Sequence, residues 1–368
     1  MTKMSVDPWE VSGEVDYDKL VTQFGTTKIS REIYEKLKDC HPLLRRGVYF
    51  SHRDFDKWLK ANAEGKKVSV ITGRGPSERM HIGHLVPFLV AKSLQDKFGC
   101  DVYIPISDDE KFFVKEDLSF EDSIKYSQDN ILDLIALGFD SKKTFIFEDF
   151  VYTDIYKYAA RIAKRITYST SKAAFGLTPE KNIGWSFYPA MQAAHILFPQ
   201  FHSKKHISVV PVAIDQDPFI RLTRDVASHK DFDLEKPAAL HAKFLPSLQG
   251  EAKMSSSGEG LIFLSDDAKT VKHKINKYAF SGGQATVEEH RAKGGNSEVD
   301  VSFQYLKMLF EEEDKKLEQI KKDYESGKML TGELKAYLIE KINVFLADHQ
   351  KKKEQAKKNI DKFLLKNK

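Results

Sequence analysis

The chain has 368 residues, of which 41% are hydrophobic and 30% charged, as in globular proteins with a sizeable core. It contains no run of about 18 apolar residues, so no membrane-spanning helix is expected. The first ten residues, MTKMSVDPWE, lack the basic and apolar regions of a signal peptide. The only cysteines, Cys40 and Cys100, predict neither a disulfide framework nor a cysteine zinc site, and the expected compartment is the reducing cytoplasm.

The net charge of +4 is unevenly distributed along the chain. Residues 351–368 hold eight lysines against Glu354 and Asp361, a net charge of +6, and the remainder of the chain has a net charge of −2. This basic tail is either a solvated helix end or a contact for a polyanion such as nucleic acid. Composition alone leaves both interpretations open.

Strands and helices alternate over the first two thirds of the chain. Four runs of β-branched and apolar residues are predicted strands: 67–72 (KVSVIT), 101–106 (DVYIPI), 144–147 (TFIF) and 207–213 (ISVVPVA). Apolar residues at helical period predict helices at 84–97, at 119–137 with Ser119 as N-cap, and from about Pro218. This order predicts an α/β fold with a Rossmann-like, mostly parallel sheet that binds ligands at the carboxyl ends of its strands.

Strand signals stop near Asp266, and the rest of the chain is predicted to be helical. The predicted helical segments are 268–280, 302–327 and 331–353. We therefore expect three parts. They are a small N-terminal appendage (1–66), a catalytic domain (67–265) and an all-helical C-terminal domain with the basic tail (266–368).

The stretch ITGRGPSERMHIGHL (71–85) places a glycine-containing turn between a strand and a helix predicted to begin near His81. Helix N-termini bind phosphate, and His81 and His84, three residues apart, can each donate a hydrogen bond to a phosphoryl oxygen. Gly83 would let a flat ring such as adenine approach the backbone. A zinc site would need a further ligand, and incidental surface histidines remain an alternative.

The stretch LQGEAKMSSSGEG (248–260) is polar and glycine-rich, which predicts a mobile loop. Lys253 on such a loop can reach a polyphosphate and neutralise charge that develops in a transition state. An ordinary surface loop is the alternative interpretation.

Together, HIGH and KMSSS on such a chain resemble the class I aminoacyl-tRNA synthetases. Further segments resemble the tryptophanyl-tRNA synthetase family of the eukaryotic and archaeal type: VDPWEV (6–11), TGRGPS (72–77), SDDEKF (107–112), PAMQAA (189–194) and VAIDQDP (212–218). The resemblance extends from about Val6 to about Lys353. Ser256 stands where the second motif usually has a final lysine, so Arg74 and Lys111 are candidates to help neutralise pyrophosphate.

The resemblance implies a role for each matching residue. Glu110 and Gln192 would hold the substrate ammonium, and Gln216 would lie near its carboxylate. The implied ATP-binding residues are Arg74, Gly75, His81, Gly83, His84, Asp215, Lys253, Met254 and Ser255, with Asp215 on the ribose. The implied catalytic residues are Arg74, His81, His84, Lys111 and Lys253. The N-terminal VDPW region would cover the ATP site.

The family's activity follows from the same resemblance. Tryptophan would attack ATP to give tryptophanyl-adenylate and pyrophosphate, and the tryptophan would then pass to the terminal ribose of its cognate tRNA. Mg²⁺ would accompany ATP, held mainly by phosphates and water, and no protein-bound structural metal is expected. The resemblance also implies a homodimer.

Two expected substrate contacts are missing from the sequence. The family normally has a tyrosine before TGRGPS and a glutamine five positions before the DDEK glutamate, and both read the indole N–H. Here these positions are Ile71 and Pro105. An unpartnered buried N–H costs roughly 1–3 kcal/mol. We therefore hypothesise that Tyr188 or His195 accepts the indole N–H; the alternative is that Tyr188 only packs as an aromatic ring.

Two other functions are weighed against this one. The segment YPAMQ also resembles tyrosyl-tRNA synthetases, although Ile71 and His195 do not supply the polar pair that a phenol needs. A non-catalytic, synthetase-derived tRNA-binding protein is the other, and it would be expected to have eroded motifs. Here His81, His84, Lys253, Glu110 and Gln192 are all present.

Overall fold

The computed structural model describes residues 5–6, 11–12, 15–251 and 260–367. The strands are β1 Ser5–Val6, β2 Val11–Ser12, β3 Thr27–Lys28, β4 Tyr49–Arg53, β5 Val68–Ile71, β6 Asp101–Ile106, β7 Thr144–Glu148, β8 Ile207–Ala213 and β9 Ala238–Ala242. Strands β5 to β8 match the four predicted strands to within one or two residues. Each is rich in β-branched residues and mostly buried, as expected for strands with both faces covered.

The central sheet has seven strands in the order β3-β4-β9-β8-β5-β6-β7. The five strands from β9 to β7 run parallel, whereas β4 is antiparallel to both β3 and β9. The predicted α/β fold with a mostly parallel sheet is therefore confirmed. Strand β5 lies in the interior of the sheet between β8 and β6, so the motif that follows β5 lies beside the carboxyl ends of two other strands.

Helices cover the sheet and form the C-terminal part. Those before β9 are α1 Tyr17–Phe24, α2 Arg31–Leu37, α3 Pro42–Arg45, α4 Phe55–Ala63, α5 Leu85–Phe98, α6 Asp108–Val114, α7 Phe120–Ala136, α8 Asp154–Ala163, α9 Tyr168–Phe175, α10 Ile183–His202 and α11 Asp217–Ala227. Those after it are α12 Ala268–Tyr278, α13 Val287–Lys293, α14 Val301–Tyr305, α15 Asp314–Glu325 and α16 Thr331–Ala356. Short 3-10 helices span Ile82–His84, Ile214–Gln216 and Ile360–Lys362. Among the described residues, no helix is long and apolar enough to cross a membrane.

The single helix predicted over residues 302–327 is wrong. The chain forms α14, a π-helical turn at Leu306–Phe310 and then α15. Arg46 explains the break, because its guanidinium donates to the carbonyl oxygens of Lys307 (2.8 Å) and Glu311 (2.7 Å). It also forms an ion pair with Asp314 at 2.6 Å. A helical carbonyl that accepts from an arginine side chain interrupts the regular hydrogen bonds of the helix. Arg46 is more than 250 residues away in sequence, so the helical pattern of this segment does not reveal the break.

The segment expected as an N-terminal appendage takes part in the sheet. Strand β4 pairs with β9 over His52↔Leu240 and Arg53↔Ala239, and β3 extends the edge. Residues 7–10, which include most of VDPW, lie outside the described residues. The boundaries of the three-part division remain predictions.

The end of the chain closes the opposite edge of the sheet. Ile146 of β7 donates its N–H to the carbonyl of Phe363 (2.8 Å) and accepts from the N–H of Leu365 (2.8 Å). The Phe363 side chain is only 6% exposed. An open strand edge is a site for unwanted pairing, so this segment both covers and anchors β7.

Helix α16 packs along α7 through a polar contact. His349 pairs with Asp133 at 2.9 Å, and Lys353 reaches Asp129 (2.7 Å) and Asp133 (2.9 Å). Gln350 also donates to the carbonyl of Leu264 at 2.9 Å. One lysine of the basic tail is therefore committed to the fold rather than free for a polyanion.

Phe363→Ala should destabilise the protein by about 3 kcal/mol, because it removes a buried ring and weakens the β7 edge contact. The measurement is the urea midpoint of unfolding. Lys366→Ala, at an exposed position on the same segment, is the matched control and should change stability by less than about 0.5 kcal/mol. Equal midpoints for the two variants would show that the segment does not anchor the sheet.

Candidate active site

Arg74 lies in the turn directly after β5 and is held against β6. Its N–H donates to the carbonyl of Pro105 (3.0 Å), and its own carbonyl accepts from Ser107 N–H (2.9 Å). The guanidinium Nε donates to Asn130 Oδ1 at 3.1 Å, and Nη1 donates to the Gly75 carbonyl. Burial lowers the pKa of Arg74 to about 10, so it remains a cation at neutral pH. Its Nη2 is buried and unbonded among the described residues, which leaves one donor for a ligand.

Gly75 is required by a close approach of two charged side chains. A Cβ at this position would lie 2.4 Å from Lys111 Cε and 2.9 Å from Glu110 Oε2. Both distances are shorter than real Cβ contacts, so a larger residue here would require the ends of the Lys111 and Glu110 side chains to move. The glycine therefore lets the turn after β5 pack directly on the start of α6.

His81 and His84 form one unit at the start of α5. His81 Nδ1 accepts from Gly83 N–H (3.1 Å), His84 Nδ1 accepts from His81 N–H (3.2 Å), and the ring centroids are 3.5 Å apart. Burial lowers the pKa of His81 to about 3 and the pKa of His84 well below its usual value, and the charge of Arg74 adds to both shifts. Both rings are neutral at pH 7 with their proton on Nε2, because Nδ1 accepts.

This arrangement changes the expected phosphate contact. The backbone N–H groups of His81 and Gly83 bond to the imidazoles and are not free for a ligand. The remaining donors are the two Nε2–H groups, and His81 Nε2 is buried and unbonded among the described residues. Since each Nδ1 is occupied, the pair offers hydrogen-bond donors rather than a chelating set.

The chain that follows KMSSS is anchored beside the HIGH segment. Ile82 N–H donates to the carbonyl of Ile262 (3.0 Å), and Leu264 N–H donates to the carbonyl of Met80 (2.9 Å). The described chain that resumes at Gly260 therefore runs beside the first motif. Its own residues, including Lys253, Met254, Ser255 and Ser256, lie outside the described residues.

Glu110 is the centre of a polar pocket at the start of α6 and is only 8% exposed. Its Oε1 accepts from Lys111 Nζ (2.6 Å), and its Oε2 accepts from Tyr188 Oη (3.0 Å) and Ser107 Oγ (3.2 Å). Burial alone would raise the pKa of Glu110, but Lys111 and the two hydroxyl donors bring it below its usual value. The carboxylate is therefore ionised. Tyr188 Oη also lies 2.7 Å from Gln192 Oε1.

Ile71 forms an apolar wall behind this pocket. It is buried in the same cluster as Tyr103, Phe147 and Tyr188. The structure places Pro105 in β6, adjacent to β5. Neither Ile71 nor Pro105 has a side-chain atom that accepts a hydrogen bond, so the substrate contact that the sequence lacks is not restored at these positions.

Asp215 and Gln216 lie in a 3-10 turn at the carboxyl end of β8, the neighbour of β5. Asp215 is buried. Burial raises the pKa of Tyr17 to about 12, and the charge of Asp215 adds to this shift. Tyr17 of α1 therefore lies within range of the Asp215 charge. Its hydroxyl accepts from Phe244 N–H at 3.0 Å.

A cluster of buried carboxyl groups adjoins Glu110. Asp108, Asp109 and Asp149 each offer an oxygen within 4.8 Å of the others. Asp109 Oδ1 accepts from Glu110 N–H (2.6 Å), and its Oδ2 accepts from Tyr156 Oη (3.1 Å). Burial and the charge of Asp149 raise the pKa of Asp109 to about 8, so Asp109 keeps its proton at neutral pH and bonds to Asp149. Protonation thus relieves the charge of this cluster.

Two polar residues of this site were not predicted from the sequence. Asn130 orients Arg74 from the buried face of α7, where it follows Ser127 at helical spacing. The available signal was a row of polar residues, Ser123, Ser127 and Asn130, at helical spacing on the buried face of α7. Asp149 follows β7 directly and pairs with His195 at 2.8 Å. An acidic residue at the carboxyl end of a parallel strand was the signal there.

The chain is similar to proteins that are described as tRNA synthetases or tRNA ligases. A family model described as class I tRNA synthetases (W and Y) matches residues 63–347. A tryptophan–tRNA ligase of Sulfurisphaera tokodaii is 51% identical, covering 98% of this chain and 94% of the relative. One from Thermococcus onnurineus is 49% identical, covering 99% and 94%. Among solved structures, tryptophanyl-tRNA synthetases from Giardia lamblia (36% identical, TM-score 0.87, covering 95% and 96%) and Aeropyrum pernix (34%, 0.87, 98% and 99%) share the fold.

The raised pKa of Asp109 predicts a pH-dependent contribution to stability. In the unfolded chain the carboxyl loses its proton near its usual pKa of 3.8, whereas the folded protein keeps it to about 8. The free energy of unfolding therefore falls as pH rises between these values. Asp109→Asn, which does not titrate, should gain stability relative to the unaltered chain over this range. The limiting slope is about 1.4 kcal/mol per pH unit.

Urea unfolding at about pH 5, 6.5, 8 and 9 measures this difference, which should level off at the highest pH. Asp117→Asn, at an exposed position, is the matched control and should follow the unaltered chain. A difference for Asp109→Asn that is constant across pH would mean that Asp109 is not protonated in the folded state.

Proposed function

The chain belongs to the class I tRNA synthetases of the tryptophan and tyrosine type, and on this premise we propose that it activates tryptophan with ATP and transfers it to tRNA. The observation that carries the proposal is the position of the ionised Glu110, buried beside Lys111 and within the field of Arg74. An anion for an ammonium group and cations for phosphates thus meet at the carboxyl ends of β5 and β6.

The amino-acid half of the site is built on Glu110. Its carboxylate would accept charge-assisted hydrogen bonds from the substrate ammonium, with Gln192 as a second partner. Gln216, at the end of β8, would lie near the carboxylate, and Ile71 and Tyr188 would flank the side chain. A substrate ammonium on Glu110 competes with Lys111 for the same oxygens. Tryptophan would therefore release Lys111 toward the phosphates.

The ATP half is built on the turn after β5 and the start of α5. Phosphoryl oxygens would accept hydrogen bonds from the Nε2–H groups of His81 and His84 and from the free Nη2 of Arg74. Because Gly75 and Gly83 have no side chains, the nucleotide could approach the backbone closely at these two positions. Asp215 would bind the ribose. Lys253, Met254 and Ser255 would approach from the second motif, whose flank is bonded to Ile82.

Mg²⁺ fits this site only as the counter-ion of ATP. The side chains proposed for the phosphates offer no carboxylate ligand. Arg74, His81, His84, Lys111 and Lys253 have N–H donors, and Ser255 has a hydroxyl. The ion would be held by phosphates and water, and it would neutralise charge on the leaving pyrophosphate.

The reaction requires positioning rather than a protein nucleophile. The tryptophan carboxylate oxygen forms a bond to the α-phosphorus as the bond to the bridging oxygen of pyrophosphate breaks. Arg74, Lys111 and the neutral histidines stabilise the charge that moves onto the leaving group, and burial strengthens these contacts. A hydroxyl of the terminal ribose of tRNA then forms an ester bond to the acyl carbon as the acyl–phosphate bond breaks, and AMP leaves.

The proposed partners are the cognate tRNA and a second copy of the chain, and the proposed compartment is the cytoplasm. The helical domain and the basic tail would contact the tRNA. A tyrosine-specific enzyme is the principal alternative because the family includes both specificities. The relatives named above are tryptophan–tRNA ligases, which favours tryptophan.

Exchange of labelled pyrophosphate into ATP tests the activity, with tryptophan and tyrosine measured in parallel. Exchange should depend on tryptophan, and dependence on tyrosine alone would overturn the proposal. Glu110→Gln should lower kcat/KM for tryptophan by about 10- to 100-fold through loss of charge-assisted bonds to the ammonium. Glu116→Gln, the same change at an exposed position nearby, should retain the activity of the unaltered chain.

The basic tail can be tested without disturbing its packing. Lys351, Lys358 and Lys366 are exposed, so changing all three to Gln preserves the buried contacts of Phe363 and Lys353. The logarithmic salt dependence of tRNA binding should become shallower by roughly 0.7–0.9 for each phosphate that the tail no longer neutralises.

The matched control changes three exposed lysines outside the helical domain, Lys38, Lys142 and Lys230, to Gln. Filter binding over a range of salt concentrations gives the slopes. If the tail variant keeps the slope of the unaltered chain, the tail is solvated surface and does not contact tRNA.

A further inference from the structure

Helix α10 presents three polar side chains on one face toward the proposed amino-acid site. Tyr188, Gln192 and His195 follow one another at spacings of four and three residues. Tyr188 and His195 are buried, and His195 reaches Asp149 at the end of β7. The face therefore extends from Glu110 at one end to the carboxyl cluster at the other.

The first two of these side chains are already engaged. Tyr188 Oη lies 3.0 Å from Glu110 Oε2 and 2.7 Å from Gln192 Oε1, and its one proton cannot satisfy both acceptors. The pair is thus oriented toward the ammonium site. Ile71 and Pro105, on the sheet side of the pocket, contribute no acceptor.

His195 has one ring nitrogen bonded and one available. Nε2 lies 2.8 Å from Asp149 Oδ1. No side chain or backbone group of the described residues forms a hydrogen bond with Nδ1. Nδ1 is also not one of the fully buried polar atoms that lack a partner, so it has some exposed surface. The side chain is 4% exposed, so this small opening includes Nδ1. Nδ1 therefore borders a space that a ligand or water can enter.

The network behind His195 determines which nitrogen carries the proton. Burial raises the pKa of Asp149 well above its usual value, and the hydrogen bond from protonated Asp109 acts in the opposite direction. Asp149 Oδ1, which lies 2.8 Å from His195 Nε2, is then the acceptor for the His195 ring. Burial lowers the pKa of His195 to about 4, although the charge of Glu110 acts in the opposite direction. The ring is therefore neutral, with Nε2–H donating to Asp149. Nδ1 then carries a lone pair and can only accept.

We propose that His195 Nδ1 accepts the ring N–H of the substrate indole, and that Asp149 is a positioning residue that holds His195 in the accepting tautomer. The inference rests on the proposed function and adds a specificity-determining residue to it. A substrate of the same shape without a ring N–H would leave Nδ1 unpaired at a buried position. The chain should discriminate against such a substrate by about tenfold.

Pyrophosphate exchange with two substrates measures this discrimination. One is tryptophan; the other is its benzothiophene analogue, in which sulfur replaces the ring N–H. The unaltered chain should prefer tryptophan by about tenfold in kcat/KM. His195→Gln places an amide nitrogen near the Nε2 position, so it can still donate to Asp149 but loses the acceptor. The preference should fall to within about twofold, mainly through loss of activity toward tryptophan.

Two further variants separate recognition from packing. Tyr188→Phe removes the contacts to Glu110 and Gln192, so it should lower kcat/KM for both substrates equally and leave their ratio intact. Asp149→Asn should reduce the preference for tryptophan over the analogue, because His195 would no longer be held in the tautomer that accepts at Nδ1. If the ratio moves in Tyr188→Phe instead of His195→Gln, Tyr188 is the acceptor and the proposal is overturned. An unchanged ratio in Asp149→Asn would overturn the role of Asp149.

The outcomes also separate this inference from the proposed function. An unaltered chain without tryptophan-dependent exchange would contradict the function itself. Tryptophan-dependent exchange without a preference over the analogue would contradict only the His195 inference. That comparison needs no variant, so it stands even if His195→Gln fails to fold.

Discussion

The two halves of the proposed site depend on one short backbone contact. Arg74 lies beyond the last residue of β5 and forms two backbone hydrogen bonds with the end of β6. Its N–H donates to Pro105, and its carbonyl accepts from Ser107. Ser107 then begins the turn into α6, which carries Glu110 and Lys111. The register of β5 against β6 thus fixes the distance between the Arg74 cation and the Glu110 carboxylate. Gly75 permits this distance, because any Cβ there would separate them.

Around this contact, burial and hydrogen bonds together determine the charge state of each group. The histidines are neutral, Glu110 is ionised because three donors surround it, and Asp109 retains a proton. In these protonation states, both histidines accept at Nδ1 and Glu110 accepts from Lys111, Tyr188 and Ser107. The donors and acceptors are therefore oriented before a substrate arrives, which lowers the reorganisation needed during reaction.

Much of the sheet could be predicted from the sequence. The strands and the helix break that could not be predicted were missed for identifiable physical reasons. Strands β5 to β8 are continuous apolar runs, and the N-cap of α7 at Ser119 was predicted correctly. Strand β9 (AALHA) is rich in alanine and β4 (YFSHR) mixes polar with aromatic residues, so neither has a strand signal. The break after α14 depends on Arg46, more than 250 residues away in sequence. At the site, motif residues were predictable, whereas the partners of Arg74 and His195 come from other elements.

The C-terminal segment also has a consequence for biosynthesis. Strand β7 ends at Glu148, yet its open edge is bonded by Phe363 and Leu365, which are synthesised more than 200 residues later. While the chain emerges from the ribosome, more than 200 residues are added with this edge of the sheet uncovered. The parallel core can assemble during that time, but its exposed edge is sealed only after Phe363 and Leu365 have emerged. A nascent chain that stalls late would therefore present an unpaired strand, which is a recognition feature for chaperones and a starting point for aggregation.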